Sequence, residues 1–253
     1  MLAHRIRAMA APHWLALFGV ILAAWGILYM MAVPADLRDA ANIYGAEFWR
    51  DLCTLTPDAA GFGRMVLMWV LMSAAMMAPT VLPALATYDD LGHSGAQTSM
   101  WRLIGGYLAV WIGYSLLAAG AQMALFRAGL LDPLGRSASA LLSAALLGVA
   151  GLYQFSALKE ACLSKCRMPL TFFMQHWDEG PWRNGLRLGL VCLGCCWALM
   201  ALAFVGGVMN LAFMGLATML MVLEKLPEIG RWITRPLGAA LLGAAGWMTF
   251  TAF

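Results

Sequence analysis

Apolar stretches close to bilayer-spanning length recur along this chain, at 13–33, 64–87, 101–126, 138–158, 185–205, 208–223 and 232–253. About 20 apolar residues, rising about 1.5 Å each, cross the roughly 30 Å hydrocarbon core of a bilayer. No alternation of period two runs through the stretches, so they read as helices, which satisfy their backbone groups internally, and not as barrel strands. The expected fold class is therefore all-α, a polytopic transmembrane bundle of about seven helices forming a single integral membrane domain over 1–253. With 62% hydrophobic and 11% charged residues, too little polar surface is left to cover a water-soluble domain of 253 residues. The Gly206-Gly207 pair between the fifth and sixth stretches leaves open a single kinked or re-entrant element across 185–223.

The cations set the expected orientation. With the N-terminus inside, Arg5, Arg7, Arg102, Lys159, Lys165, Arg167, Arg183, Arg187, Lys225, Arg231 and Arg235 gather on the cytoplasmic side. Arg38, Arg50, Arg64, Arg127 and Arg136 fall on the other, so the positive-inside rule predicts a cytoplasmic N-terminus and an outer C-terminus. A net charge of +3, dispersed in this way, gives no basis for a nucleic-acid partner. The first stretch follows a short basic start but carries Trp25 and Tyr29 and lacks a small-residue cleavage site, so it is expected to be a retained helix. Residues 34–63, with Tyr44, Phe48, Trp49, Cys53 and Phe62, are expected to form an outer flap or interfacial helix.

Five of the six cysteines lie between positions 162 and 196, as Cys162-Leu-Ser-Lys-Cys166 and Cys192-Leu-Gly-Cys195-Cys196. Residues three and four apart share a helix face with Cβ atoms about 5–6 Å apart. That separation suits thiolates converging on one ion and exceeds the roughly 3.5–4.5 Å that a disulfide needs. Cysteine also serves as a small apolar filler in packed helices, the alternative for any single one of these positions.

Methionines follow one face of the second stretch at Met65, Met68, Met72 and Met76, before Met77 and Pro79. Pro79 has no N–H, so the carbonyl of Ala75 is left without its helical donor, and Pro83 repeats the effect one turn later. Counted from opposite membrane faces, Met72 and Met76 sit roughly 12–18 Å deep and Cys192, Cys195 and Cys196 roughly 10–16 Å deep, so the two sets are expected to meet near mid-membrane. Soft thiolate and thioether donors select Cu(I), with zinc the second candidate. A ladder of donors suggests itself, with Cys162 and Cys166 as the receiving pair, then Cys192 and Cys196, then Met200 and Met209, and with His176 as a further donor near the receiving end.

Lys159 with Glu160, and Glu224 with Lys225, are expected at inner helix ends, explained by snorkelling and pairing between neighbours. Gln154 and Asn210 can bond other helices or orient a metal ligand. There is no Gly-x-Ser-x-Gly elbow, phosphate loop, His-Glu-x-x-His helix or haem-attachment motif, which leaves no catalytic residues to name.

The segments at 68–79, 151–169, 192–200, 207–210 and the Glu224-Lys225 pair resemble, in combination, the bacterial family of predicted metal-binding integral membrane proteins. The resemblance runs over 64–225 and implies a copper-chaperone-like, metal-binding protein of the bacterial inner membrane that associates with a small soluble metal-binding partner. Members often carry a histidine where this chain has Leu188, so a ligand there would be missing here. Three functions follow as expectations: a Cu(I)-handling or delivery protein, an integral subunit of a membrane oxidoreductase, or a metal-free helical scaffold. Lipid surrounds all three, and the Gly-rich last stretch is open to association into oligomers.

Overall fold

In the computed structural model of the protein the described residues are 12–32, 59–93, 98–208 and 210–252, and they are helical apart from short turns and one isolated bridge, Leu131 to Ser137. The helices are α1 (Pro12–Ala32), α2 (Ala59–His93), α3 (Met100–Arg127), α4 (Ala140–Tyr153), α5 (Ala157–Arg167), α6 (Pro169–His176), α7 (Gly180–Ala201), the short α8 (Ala203–Gly206), α9 (Leu211–Lys225) and α10 (Gly230–Ala252). Most of the expected outer flap, with Cys53, lies outside the described residues, as does Met209. Phe62 is described, in the first turn of α2, where it packs on the core.

Among the described residues four runs are long and apolar enough to cross a membrane: Pro12–Ala32, Ala60–His93, Met100–Arg127 and Pro169–Gly206. A fifth arises if α4 and α5, bent by 62° at their junction, count as one span. This corrects the expectation of about seven spanning helices. At 15 residues α9 reaches only about 22 Å, short of the hydrocarbon thickness. The last helix opens on Arg231 and Arg235, and nine of its 23 residues are Gly or Ala, which carry little apolar surface. The stretch expected as a span at 138–158 is divided between two helices. Helix α4 ends at Tyr153, and Ser156 caps a new helix by accepting from the Lys159 N–H at 3.1 Å. The Gly206-Gly207 pair ends α8, and α9 starts at Leu211. Gly207 sits at φ +96°, open to glycine and strained for other residues, and Asn210 caps α9 by accepting from the Phe213 N–H at 3.1 Å.

Helix α2 runs through both prolines without breaking. The Ala75 carbonyl released by Pro79 accepts a hydrogen bond from Trp25 Nε1 at 3.0 Å, so the lost backbone bond becomes the tie that holds α1. A second tie joins Trp14 Nε1 to Asp89 Oδ2 at 3.0 Å. On its other side α2 is joined to α3 by Trp69 Nε1 donating to Gln122 Oε1 at 2.7 Å and by the Ser73 and Ser115 hydroxyls, 3.3 Å apart. Helices α3 and α7 meet backbone to backbone: a Cβ on Gly106 would lie 2.3 Å from the Trp182 carbonyl oxygen, and one on Gly185 would lie 2.1 Å from that of Leu103. Small residues permit this approach, which sets the depth at which the rest of α7 faces α2 and α3.

Candidate metal centre

The cysteine-bearing face of α7 follows from helical spacing. Leu188, Cys192, Cys195, Cys196 and Leu199 recur at intervals of three and four, and all five are buried. The Sγ atoms of Cys192, Cys195 and Cys196 lie within 4.8 Å of one another. Three sulfurs at about 2.3 Å from one ion are separated by about 4 Å, so a small inward rotation of the thiols closes a three-coordinate site. Two local bonds hold the thiols until then: Cys195 donates to the Cys192 carbonyl at 3.0 Å, and Cys196 donates to the same oxygen at 2.8 Å.

Other elements complete the surroundings. From α2, the Met77 thioether approaches Cys196 Sγ to 3.6 Å, and Thr80 Oγ1 lies 3.9 Å from Cys192 Sγ. From α3, the Tyr107 hydroxyl lies 3.3 Å from both Cys192 Sγ and the Met77 carbonyl oxygen, bridging the two helices. From α5, Cys166 lines the same small cavity as Cys192, and Cys162 Sγ stands so close to α7 that a Cβ on Gly194 would meet it at 2.6 Å. From α9, the buried Lys225 ammonium donates to Thr80 Oγ1 at 2.8 Å and to Cys192 Sγ at 3.0 Å. On the far side, Tyr153 donates to the Gly194 carbonyl and its ring packs edge-on against Trp197.

The structure thus brings together Cys192, Cys195 and Cys196, with Cys166 and Cys162 beside them on α5. Met72 and Met76 are buried on α2, but each sits one residue, about 100° of helix, away from the Ser73, Met77 and Thr80 face that meets α3 and α7. A thioether that meets a cluster thiol is that of Met77, 3.6 Å from Cys196 Sγ. Met200 is buried one turn beyond Cys196. His176 is turned back on its own helix, its Nδ1 2.9 Å from the Phe172 carbonyl oxygen.

Sequence reasoning missed the roles of Met77, Thr80, Tyr107 and Lys225 in lining the cluster. The spacing of Ser73, Met77 and Thr80 at i, i+4 and i+7 is the signal that a polar and thioether face runs beside the more obvious methionine stripe. The pairing of the charges also differs from expectation. Lys159 reaches across to Glu224 at 2.9 Å, both side chains about 1% exposed, in place of its neighbour Glu160. Glu224 is therefore occupied by another helix, and Lys225 turns to sulfur.

Among the described residues the cluster of three is all thiol, with no carboxylate or imidazole in it. Such a donor set fits a soft ion and offers little to a hard one. Over residues 66–248 the chain matches the family described as PpoB2, copper chaperone. No curated protein matches it, and no solved structure matches it. A match over most of the chain, together with several long apolar helices and a buried three-cysteine cluster, leads to one assignment: the chain belongs to the PpoB2 copper chaperone family.

Proposed function

We propose that the protein handles Cu(I) within the membrane, receiving it at Cys162 and Cys166, holding it on Cys192, Cys195 and Cys196 with the Met77 thioether, and passing it on to a copper-requiring partner. Three buried thiols within 4.8 Å of one another, with a thioether 3.6 Å from one of them, carry the reading. Copper is cargo in this scheme, and no catalytic step is assigned. Zinc is the second candidate, favoured only if Cys166 moves in as a fourth thiolate, which its place beside Cys192 on the same small cavity allows. The metal-free scaffold reading fits less well, because cysteines that merely filled space would not draw a buried lysine ammonium onto one sulfur. A bacterial inner-membrane location with the N-terminus inside, and a small soluble partner that supplies or accepts the metal, belong to the same proposal.

Metal content of anaerobically purified protein tests it. Wild type is expected to carry close to one copper per chain, and the double variant Cys195→Ser, Cys196→Ser to lose it. No metal in the wild type even after reconstitution with Cu(I) would sink the reading. Zinc retained in place of copper would replace the first candidate with the second.

A further inference from the structure

Lys225 is the largest charge at the cluster, and its surroundings set what form of copper can approach. It is about 9% exposed, and among the described residues its hydrogen-bond partners are a hydroxyl and a sulfur. The adjacent carboxylate, Glu224, is engaged by Lys159. A small cavity of about 40 Å³ lies beside it. The lining runs from buried Cys192, Thr80 and Lys225 to half-buried Cys166 and exposed Pro83, so it links the cluster to the surface. Lys165, exposed on α5 between Cys162 and Cys166, adds a second positive charge close to Cys162.

A bare Cu(I) cation following this route meets the like charge of buried Lys225 beside Cys192, where a low local dielectric makes repulsion large. A copper ion already held by two thiolates carries a net negative charge and is attracted along the same path. The geometry points to an anionic Cu(I) bis-thiolate complex as the form the site accepts, with Lys225 as the residue that selects it over cationic copper. The donor is then a thiol-rich carrier, either a small thiol or a protein presenting a cysteine pair. Transfer is a ligand exchange without change of oxidation state: a new bond forms between Cys192 Sγ and copper as one donor sulfur–copper bond breaks. The Cys192 proton leaves on the departing thiolate, and the complex remains a bis-thiolate of the same charge. Cys195 or Cys196 displaces the second donor sulfur in the same way. This inference rests on the copper reading above.

The test compares loading rates of purified full-length protein from Cu(I) bound to dithiothreitol and from the cationic acetonitrile complex of Cu(I). In Lys225→Met the ratio of anionic to cationic loading is expected to fall about tenfold, and in Lys225→Arg to stay near the wild-type value. A ratio unchanged in Lys225→Met overturns the inference and leaves the copper reading standing, whereas uptake from neither donor by wild type overturns both. If Lys225→Met does not fold, wild type decides through ionic strength: loading from the anionic donor is expected to slow with added salt and loading from the cationic donor to quicken. Equal or reversed salt slopes overturn it.

Discussion

At the residue scale the methionines separate into two kinds. Met77 touches a cluster thiol, whereas Met72 and Met76 fill the core one helical step away. Replacing each by leucine keeps volume and apolar character nearly constant and should cost the fold less than about 1.5 kcal/mol. Met77→Leu is expected to weaken Cu(I) binding about tenfold in a competition titration, through loss of a soft donor. Met72→Leu and Met76→Leu are expected to leave it unchanged. Equal losses from all three would mean that the stripe acts through packing and not through coordination. The residue types were legible in the sequence. Which methionine counts was not, because the rotation of α2 about its own axis is set by its contacts with α3 and α7.

At the scale of elements, the decisive contact is between α3 and α7. Gly106 and Gly185 bring the two backbones together, and an added methyl at either meets main-chain atoms that cannot swing aside. Gly185→Ala is expected to separate the helices, draw the cysteine face away from Tyr107 and lower thermal stability in detergent by several degrees. Gly243→Ala, with nothing within 4 Å of the added carbon, is expected to be neutral or slightly stabilising through better helix propensity. Unfolding followed by tryptophan fluorescence checks both. Not all of a Gly-rich stretch does the same work: in α10, Gly238 faces Gln154 and Phe155, whereas Gly243 and Gly246 face open space. The helix boundary at Gly207 was readable from the glycine pair, whereas Asn210, expected to bond another helix or orient a metal ligand, caps α9. The bend at Gln154 was not readable, because apolar residues continue on both sides of it.

At the scale of the whole molecule, the charges inside the bundle form a connection among three elements. Lys159 on α5 binds Glu224 on α9, Arg167 on α5 donates to the Glu224 carbonyl at 2.9 Å, and Arg167 reaches Thr234 on α10. Removing one side of the buried pair leaves an uncompensated ion, so Glu224→Gln is expected to cost about 3–5 kcal/mol. The double variant Lys159→Met, Glu224→Leu is expected to recover much of that loss. A Glu224→Gln protein as stable as wild type by chemical denaturation would show that the Lys159 ammonium finds another partner. The same pairing frees Lys225 for Cys192, and so ties the stability of the bundle to the charge at the metal centre.

Composition, apolar stretch length and cysteine spacing were enough, from the sequence alone, to define an all-α chain with several helices long and apolar enough to span a membrane and with thiols gathered on one face of one helix. These properties are local, arising from side-chain chemistry and the 3.6-residue period of a single helix. Tertiary structure decided which helix faces turn toward each other, that Met77 and Lys225 reach the thiols, and that Lys159 crosses to Glu224 in place of Glu160. It also decided that α9 ends short of a full crossing and that α5 bends away from α4. Those outcomes depend on contacts between residues as far apart as Thr80 and Lys225, where glycine-mediated approach and buried charge pairing outweigh the preferences of neighbours in the chain.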